Sequence, residues 1–152
     1  MARRALLCVG LQPEKLELLP KKEAIRLLDW VLANQDNYDY TLSLVRKKGN
    51  INFESSNQDI DVNNFDTFYD FRVDREIETV GYNAPAGMFC AQDSYDIIGI
   101  STGASVLAQA FEFYSAGIDF RVLTDICSDR NGLHKEAVKI LNSYMPNCVT
   151  RK

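Results

Sequence analysis

Tyr95-Asp-Ile-Ile-Gly-Ile-Ser-Thr-Gly-Ala-Ser-Val106 and Ala116-Gly-Ile-Asp-Phe-Arg-Val-Leu-Thr-Asp-Ile-Cys127 decide the fold between them. Asp96 to Ser101 reads as a buried strand, Gly103 to Ala116 as the helix after it, and Phe120 to Thr124 as the next strand. The alternation predicts a further helix over Leu133 to Met145, with Leu133, Ala137, Ile140, Leu141 and Tyr144 on its apolar side and Pro146 as its stop. A last strand is expected over Cys148 to Thr150. Strands alternating with helices imply right-handed crossover units and a mainly parallel, doubly wound sheet.

The rest of the chain extends this pattern in both directions. Ala5 to Leu11 is a continuous apolar run closed by Gln12-Pro13, as expected of a central strand buried on both faces. Lys21 to Asn34 places Ala24, Leu27, Leu28, Val31 and Leu32 at helical spacing just after Pro20. Tyr40 to Arg46 reads as a second strand, and Phe71 to Val80 contains a short one before Pro85 and Gly87 interrupt the pattern. Gly49 to Tyr69, rich in Asn, Asp and Ser, is the least regular stretch and is read as a lid or a partner surface. The fold class expected is a three-layer α/β/α arrangement in one domain over residues 1–152. Ligands of such sheets bind beyond the carboxyl ends of the strands, where the winding reverses. That rule points to Gly10 to Gln12, Ser101 to Ser105 and Thr124 to Ser128.

Composition removes several classes of function. With 46% apolar and 25% charged residues the chain is of ordinary globular type. Its longest apolar runs, Ala5 to Leu11 and Gly103 to Phe111, fall far short of the roughly 20 residues that span a bilayer. Twenty-one acidic against 17 basic residues leave a net charge of -4, and Arg46-Lys47-Lys48 is too small a cluster to bind nucleic acid. The four cysteines, Cys8, Cys90, Cys127 and Cys148, have no paired spacing and read as small buried hydrophobes in a reduced, cytoplasmic setting. The apolar stretch after Met-Ala-Arg-Arg is too short for an export signal.

The turn at Gly99 supports two chemistries. Gly99-Ile100-Ser101-Thr102-Gly103 matches the G-x-S-x-G pattern of a nucleophile elbow, with Asp125 and His134 following in the order Ser, Asp, His. On that reading the chain is a serine hydrolase of amides or esters that uses Ser101 or Ser105. On the other, Ser105 is a first-turn helix serine and Gly10 a close-packing strand glycine.

From Asp96 to Cys127 without a gap, the sequence resembles the isochorismatase-like cysteine hydrolases, which include the nicotinamidases. Ala5 to Gln12 resembles that family's opening strand, and His134 and Ala137 sit where its final helix often has a His and an Ala. The resemblance implies a parallel sheet in the order 3-2-1-4-5-6, a dimer or tetramer, and a triad of Asp, Lys and Cys that activates a thiolate. The Asp position is Gly10, the Cys position is Ser105, and the Lys window from Val73 to Pro85 offers only Glu78 or Thr79 at the nearest place. It further implies a cis Ile100–Ser101 bond and an oxyanion hole at the amides of Ala104 and Ser105. The pocket expected is therefore Gly10, Gln12, Thr79, Ile100, Thr102, Gly103 and Ala104, with Ser105 at the nucleophile's place. The Asp-and-two-His metal site of some nicotinamidases cannot be built with one histidine, so neither metal nor cofactor is expected. With the triad replaced, the resemblance implies an inactive relative that binds a small carbonyl or anionic ligand or serves protein assembly. The apolar surface for assembly is expected at Phe111, Phe113 and Tyr114.

Overall fold

The computed structural model describes residues 2–46 and 71–149, so the polar Gly49 to Tyr69 stretch lies outside the described residues. Five strands form one parallel sheet: β1 (Arg4–Val9), β2 (Tyr40–Arg46), β3 (Arg75–Thr79), β4 (Ser94–Ile100) and β5 (Asp119–Ser128), in the order β3-β2-β1-β4-β5. The helices are α1 (Pro13–Leu16), α2 (Lys21–Asn34), α3 (Leu107–Ala116) and α4 (His134–Tyr144). Among the described residues no helix is long and apolar enough to cross a membrane.

Alternation along β1 divides the core into two layers. Ala5, Leu7 and Val9 face the side covered by α3 and α4, through Val106, Ala110, Phe113 and Leu141. Leu6 and Cys8 face the side covered by α2, through Ala24, Leu27, Leu28 and Val31. Both sets are almost fully buried, and this two-sided burial makes the strand a continuous apolar run. The helix over Lys21–Asn34 and the strand over Tyr40–Arg46 stand where the sequence puts them.

Three expectations are corrected. The sixth strand is missing among the described residues: Pro146–Cys148 forms a 3-10 turn, and only Val149 bridges to Val122, parallel, on the outer edge of β5. Proline has no N–H for a ladder, and the turn draws the Cys148 amide back to the Met145 carbonyl at 3.0 Å. The fifth strand runs from Asp119 to Ser128, well past Thr124, because Ile97 pairs with Val122 while Gly99 pairs with Cys127. Leu123 to Ile126 thus stand opposite Ile98 alone, a bulge that periodicity does not reveal. Finally, Cys90 is exposed and Cys148 half-buried. Of Met88-Phe89-Cys90 only Phe89 turns inward, with its ring edge-on to Phe113 at 4.7 Å.

At the amino ends of the strands one buried carboxylate ties the sheet together. Asp96 accepts Arg4 Nη2 at 2.7 Å from β1, Arg121 Nε at 3.1 Å and Nη2 at 2.9 Å from β5, and the Tyr38 hydroxyl at 2.7 Å from the segment before β2. Burial and the Asp96 carboxylate push the Tyr38 phenol well above its ordinary pKa. Asp96→Ala strips three partners of a shared acceptor and is expected to cost about 2–4 kcal/mol, read as a lower urea midpoint with unchanged slope.

Candidate functional site

The site lies at the opposite end of the sheet, where β1 and β4 leave it side by side. Gly10 ends β1 with φ +66° and donates its amide to the Leu44 carbonyl at 2.8 Å. A Cβ placed there would lie 2.5 Å from the Ile100 carbonyl oxygen, 2.9 Å from Lys15 Cδ and 3.2 Å from Lys15 Nζ. Position 10 therefore has no room for a side chain, and the space above it holds the Lys15 amine. Gln12 and Pro13 place the lysine there: Pro13 opens α1, and the single helical turn folds Lys15 back over Gly10.

Burial, helped by Arg46 and Arg130, lowers the Lys15 ammonium to a pKa of about 8, and Glu14 offsets this only in part. The Lys15 amine forms no hydrogen bond or ion pair to another described residue. Gln12 is nearly buried and braces the site: its Oε1 accepts the Arg46 amide at 3.0 Å and its Nε2 donates to Glu14 Oε2 at 2.9 Å.

The turn after β4 begins with a cis Ile100–Ser101 peptide, at the bond the family resemblance indicates. The Ser101 carbonyl then accepts both the Ala104 amide at 3.1 Å and the Val106 amide at 3.2 Å, so α3 starts with a wide π-type turn over Thr102–Val106. The Gly103 amide is taken by Asp129 Oδ2 at 2.7 Å. Of the amides around the expected oxyanion hole, those of Gly103 and Ala104 thus have protein acceptors. Ser105 is buried, and its hydroxyl has no hydrogen-bond partner among the described residues.

The other expected residues have definite places. His134 Nδ1 lies 2.8 Å from Thr102 Oγ1, and no hydrogen bond joins His134 to the hydroxyl of Ser101 or Ser105. Asp125 is in the bulge of β5, exposed, with its carbonyl accepting Arg26 Nη1 at 2.5 Å. Thr79 closes β3 with its hydroxyl inside a tight turn, donating to the Asn83 carbonyl at 3.0 Å and accepting the Gly81 amide at 3.2 Å. From the Thr124 to Ser128 stretch, Ser128 Oγ donates to Glu23 Oε1 at 3.0 Å. Among the described residues no three His, Cys, Asp or Glu side chains gather as a metal site would require, and the resemblance's metal does not fit a chain with one histidine.

Sequence reasoning missed Lys15. Its signal is a lysine five positions after a strand-ending glycine, with a proline between them to turn the chain back.

The sheet order and the helix after the β4 turn match an isochorismatase-like α/β fold, here with five strands among the described residues. The sequence matches no family model and no curated protein. Solved structures supply the likeness. A pyrazinamidase/nicotinamidase from Streptococcus mutans is similar over 97% of this chain and 99% of its own, with a TM-score of 0.68 at 15% identity. A nicotinamidase from Bacillus subtilis is similar over 100% of both chains, with a TM-score of 0.65 at 14% identity. An isochorismatase-like hydrolase from Alkaliphilus metalliredigens covers 98% of this chain and 94% of its own, with a TM-score of 0.67 at 12% identity.

Two stability measurements test this geometry. Gly10→Asp restores the acid of the resembled triad, and Asp tolerates positive φ better than most residues, so the clash with the Ile100 carbonyl dominates. It is expected to lower stability by about 2–3 kcal/mol in urea denaturation. The sign for Lys15 is the opposite. Its folded pKa, about 8, lies below the ordinary value of 10.5, so between these pH values the unfolded chain holds a proton that the folded chain has released. Stability from this group therefore rises with pH across that window and is lowest below it. Lys15→Met is expected to stabilise by about 1–2 kcal/mol at pH 7, with the gain vanishing towards pH 10.5.

Proposed function

We propose that this protein is a non-hydrolytic relative of the isochorismatase-like enzymes that binds a small anionic or carbonyl ligand at the carboxyl ends of β1 and β4. One observation carries the reading. The place of the resembled family's acid is closed to any side chain and covered by a lysine amine, so the charge in the site is reversed. A thiolate mechanism needs an acid or other base to take the thiol proton, and a serine in the thiol's place needs that base still more. A cation beside Gly10 suits a ligand carboxylate or a polarised carbonyl instead, and Arg46 and Arg130 lie close enough to depress its pKa.

Hydrolysis by serine is disfavoured by the same arrangement. His134, the only histidine, commits Nδ1 to Thr102. A general base must reach the proton it takes, and no direct hydrogen bond joins His134 to the Ser101 or Ser105 hydroxyl.

Assembly with copies of itself is the second part of the proposal. Phe113 is consumed by the core, whereas Phe111, Tyr114, Ile140 and Tyr144 are exposed on α3 and α4, with Phe111 and Tyr144 rings 6.2 Å apart. Aromatic residues on such a face are enriched in subunit interfaces.

Nicotinamide and p-nitrophenyl acetate are expected to hydrolyse at the uncatalysed rate in the presence of the protein, followed by ammonia release and absorbance. Turnover above that rate and abolished by Ser105→Ala overturns the reading in favour of a serine hydrolase. In sedimentation velocity the chain is expected to run as an oligomer, and Tyr114→Glu with Tyr144→Glu to shift it towards monomer.

A further inference from the structure

We infer that the Lys15 amine is the covalent acceptor of this site, forming a reversible imine with small 2-oxo acids. The inference rests on the reading that this pocket binds a ligand, and it names that ligand's chemical class.

Three observations converge. The first is position. Lys15 Cδ and Nζ lie 2.9 and 3.2 Å from where a Cβ of residue 10 would be, so the amine stands over the gap between β1 and β4, where the winding of the sheet reverses. The second is that the amine makes no hydrogen bond or ion pair to a carboxylate among the described residues. Of the described acids near it, Glu14 accepts Gln12 Nε2 at 2.9 Å and Asp129 accepts the Gly103 amide at 2.7 Å. The third is its company. Arg46 and Arg130 act on the amine as like charges, and Glu14 is the one acid that opposes them among the groups shaping its titration.

A lysine kept partly neutral by burial and by neighbouring cations is the form that attacks carbonyl carbon. With the pKa near 8, roughly a tenth of the amine is neutral at pH 7, several hundred times the fraction of an ordinary lysine. The same two arginines that hold the proton off are receptors for a carboxylate. A 2-oxo acid uses both features, since its carboxylate sits next to its carbonyl carbon. A simple amide or ester uses neither.

The step balances without a further reactant. The Lys15 nitrogen lone pair forms a bond to the carbonyl carbon, the carbonyl π-bond electrons move to oxygen, and a proton passes from nitrogen to that oxygen to give a carbinolamine. Loss of the hydroxyl with a proton as water leaves the imine. Water reverses the sequence and returns amine and 2-oxo acid unchanged.

The test uses the full chain with pyruvate, and separately with glyoxylate, trapped by cyanoborohydride and mapped by peptide mass spectrometry. Hydride adds to the imine carbon and fixes the adduct as a secondary amine. Labelling of Lys15 is expected at least tenfold faster than labelling of the exposed Lys21, Lys22 and Lys139, with a rate that climbs towards a plateau above pH 8. Lys15→Arg keeps the charge and is expected to abolish the adduct. Labelling of Lys15 no faster than that of the surface lysines overturns the inference. If pyruvate then still raises the melting temperature of the wild type but not of Lys15→Met, the covalent step alone falls. If pyruvate, benzoate and phosphate all leave the melting temperature unchanged, the ligand-binding reading falls with it.

Discussion

The close approach of β1 and β4 at their carboxyl ends is the constraint on which the site depends. Glycine permits it at both positions. A Cβ at residue 99, where φ is +132°, would lie 1.9 Å from the Val9 carbonyl oxygen, and one at residue 10 would lie 2.5 Å from that of Ile100. No rotamer change relieves contacts of that kind, because the clashing atoms are backbone. The approach lets β4 turn directly into the helix that begins at Thr102, and it leaves a gap above Gly10 that a side chain from elsewhere can enter. In this chain the entrant is Lys15.

The consequence is electrostatic. A site built around an acid and a thiol favours proton removal, whereas one built around a partly buried amine with two arginines nearby favours anions and carbonyl groups. The supports of the scaffold lie outside Gly10, Thr79 and Ser105. The buried Gln109 of α3 holds the backbone of Ala84 through two hydrogen bonds, at 2.8 and 3.1 Å, and Glu112 accepts the Ala86 amide at 2.8 Å. The segment between β3 and β4 is thus anchored by α3 whatever residue stands at position 79. At the far end of the sheet Asp96 does the same for β1, β5 and the approach to β2.

The layer structure, the α2 helix, the second strand and the position of the turn at Ser101 were legible in the residues alone, because burial on two faces of a parallel strand and on one face of a helix imposes different periods. That Gly10 and Ser105 stand at the resembled acid and thiol positions, and that no lysine falls in Val73 to Pro85, was legible too, since it depends only on which residue stands at a motif position. The ending of the described sheet at five strands was not. Cys148 and Val149 read as strand residues by type, and whether they pair depends on how the chain leaves α4 at Pro146.

The sequence by itself therefore determined the class of fold and which residues stand at the resembled motif positions, because both follow from local pattern and residue identity. Only the tertiary structure decided what surrounds those positions. Lys15 is distant in sequence from Ile100, Arg46 and Arg130, and its altered acidity arises from burial and from charges brought near at the end of β2 and in the loop after β5. The pairing of Thr102 with His134 and of Gly103 with Asp129 is of the same origin. Such contacts are fixed by the packing of whole elements, which a linear pattern does not encode at any one position.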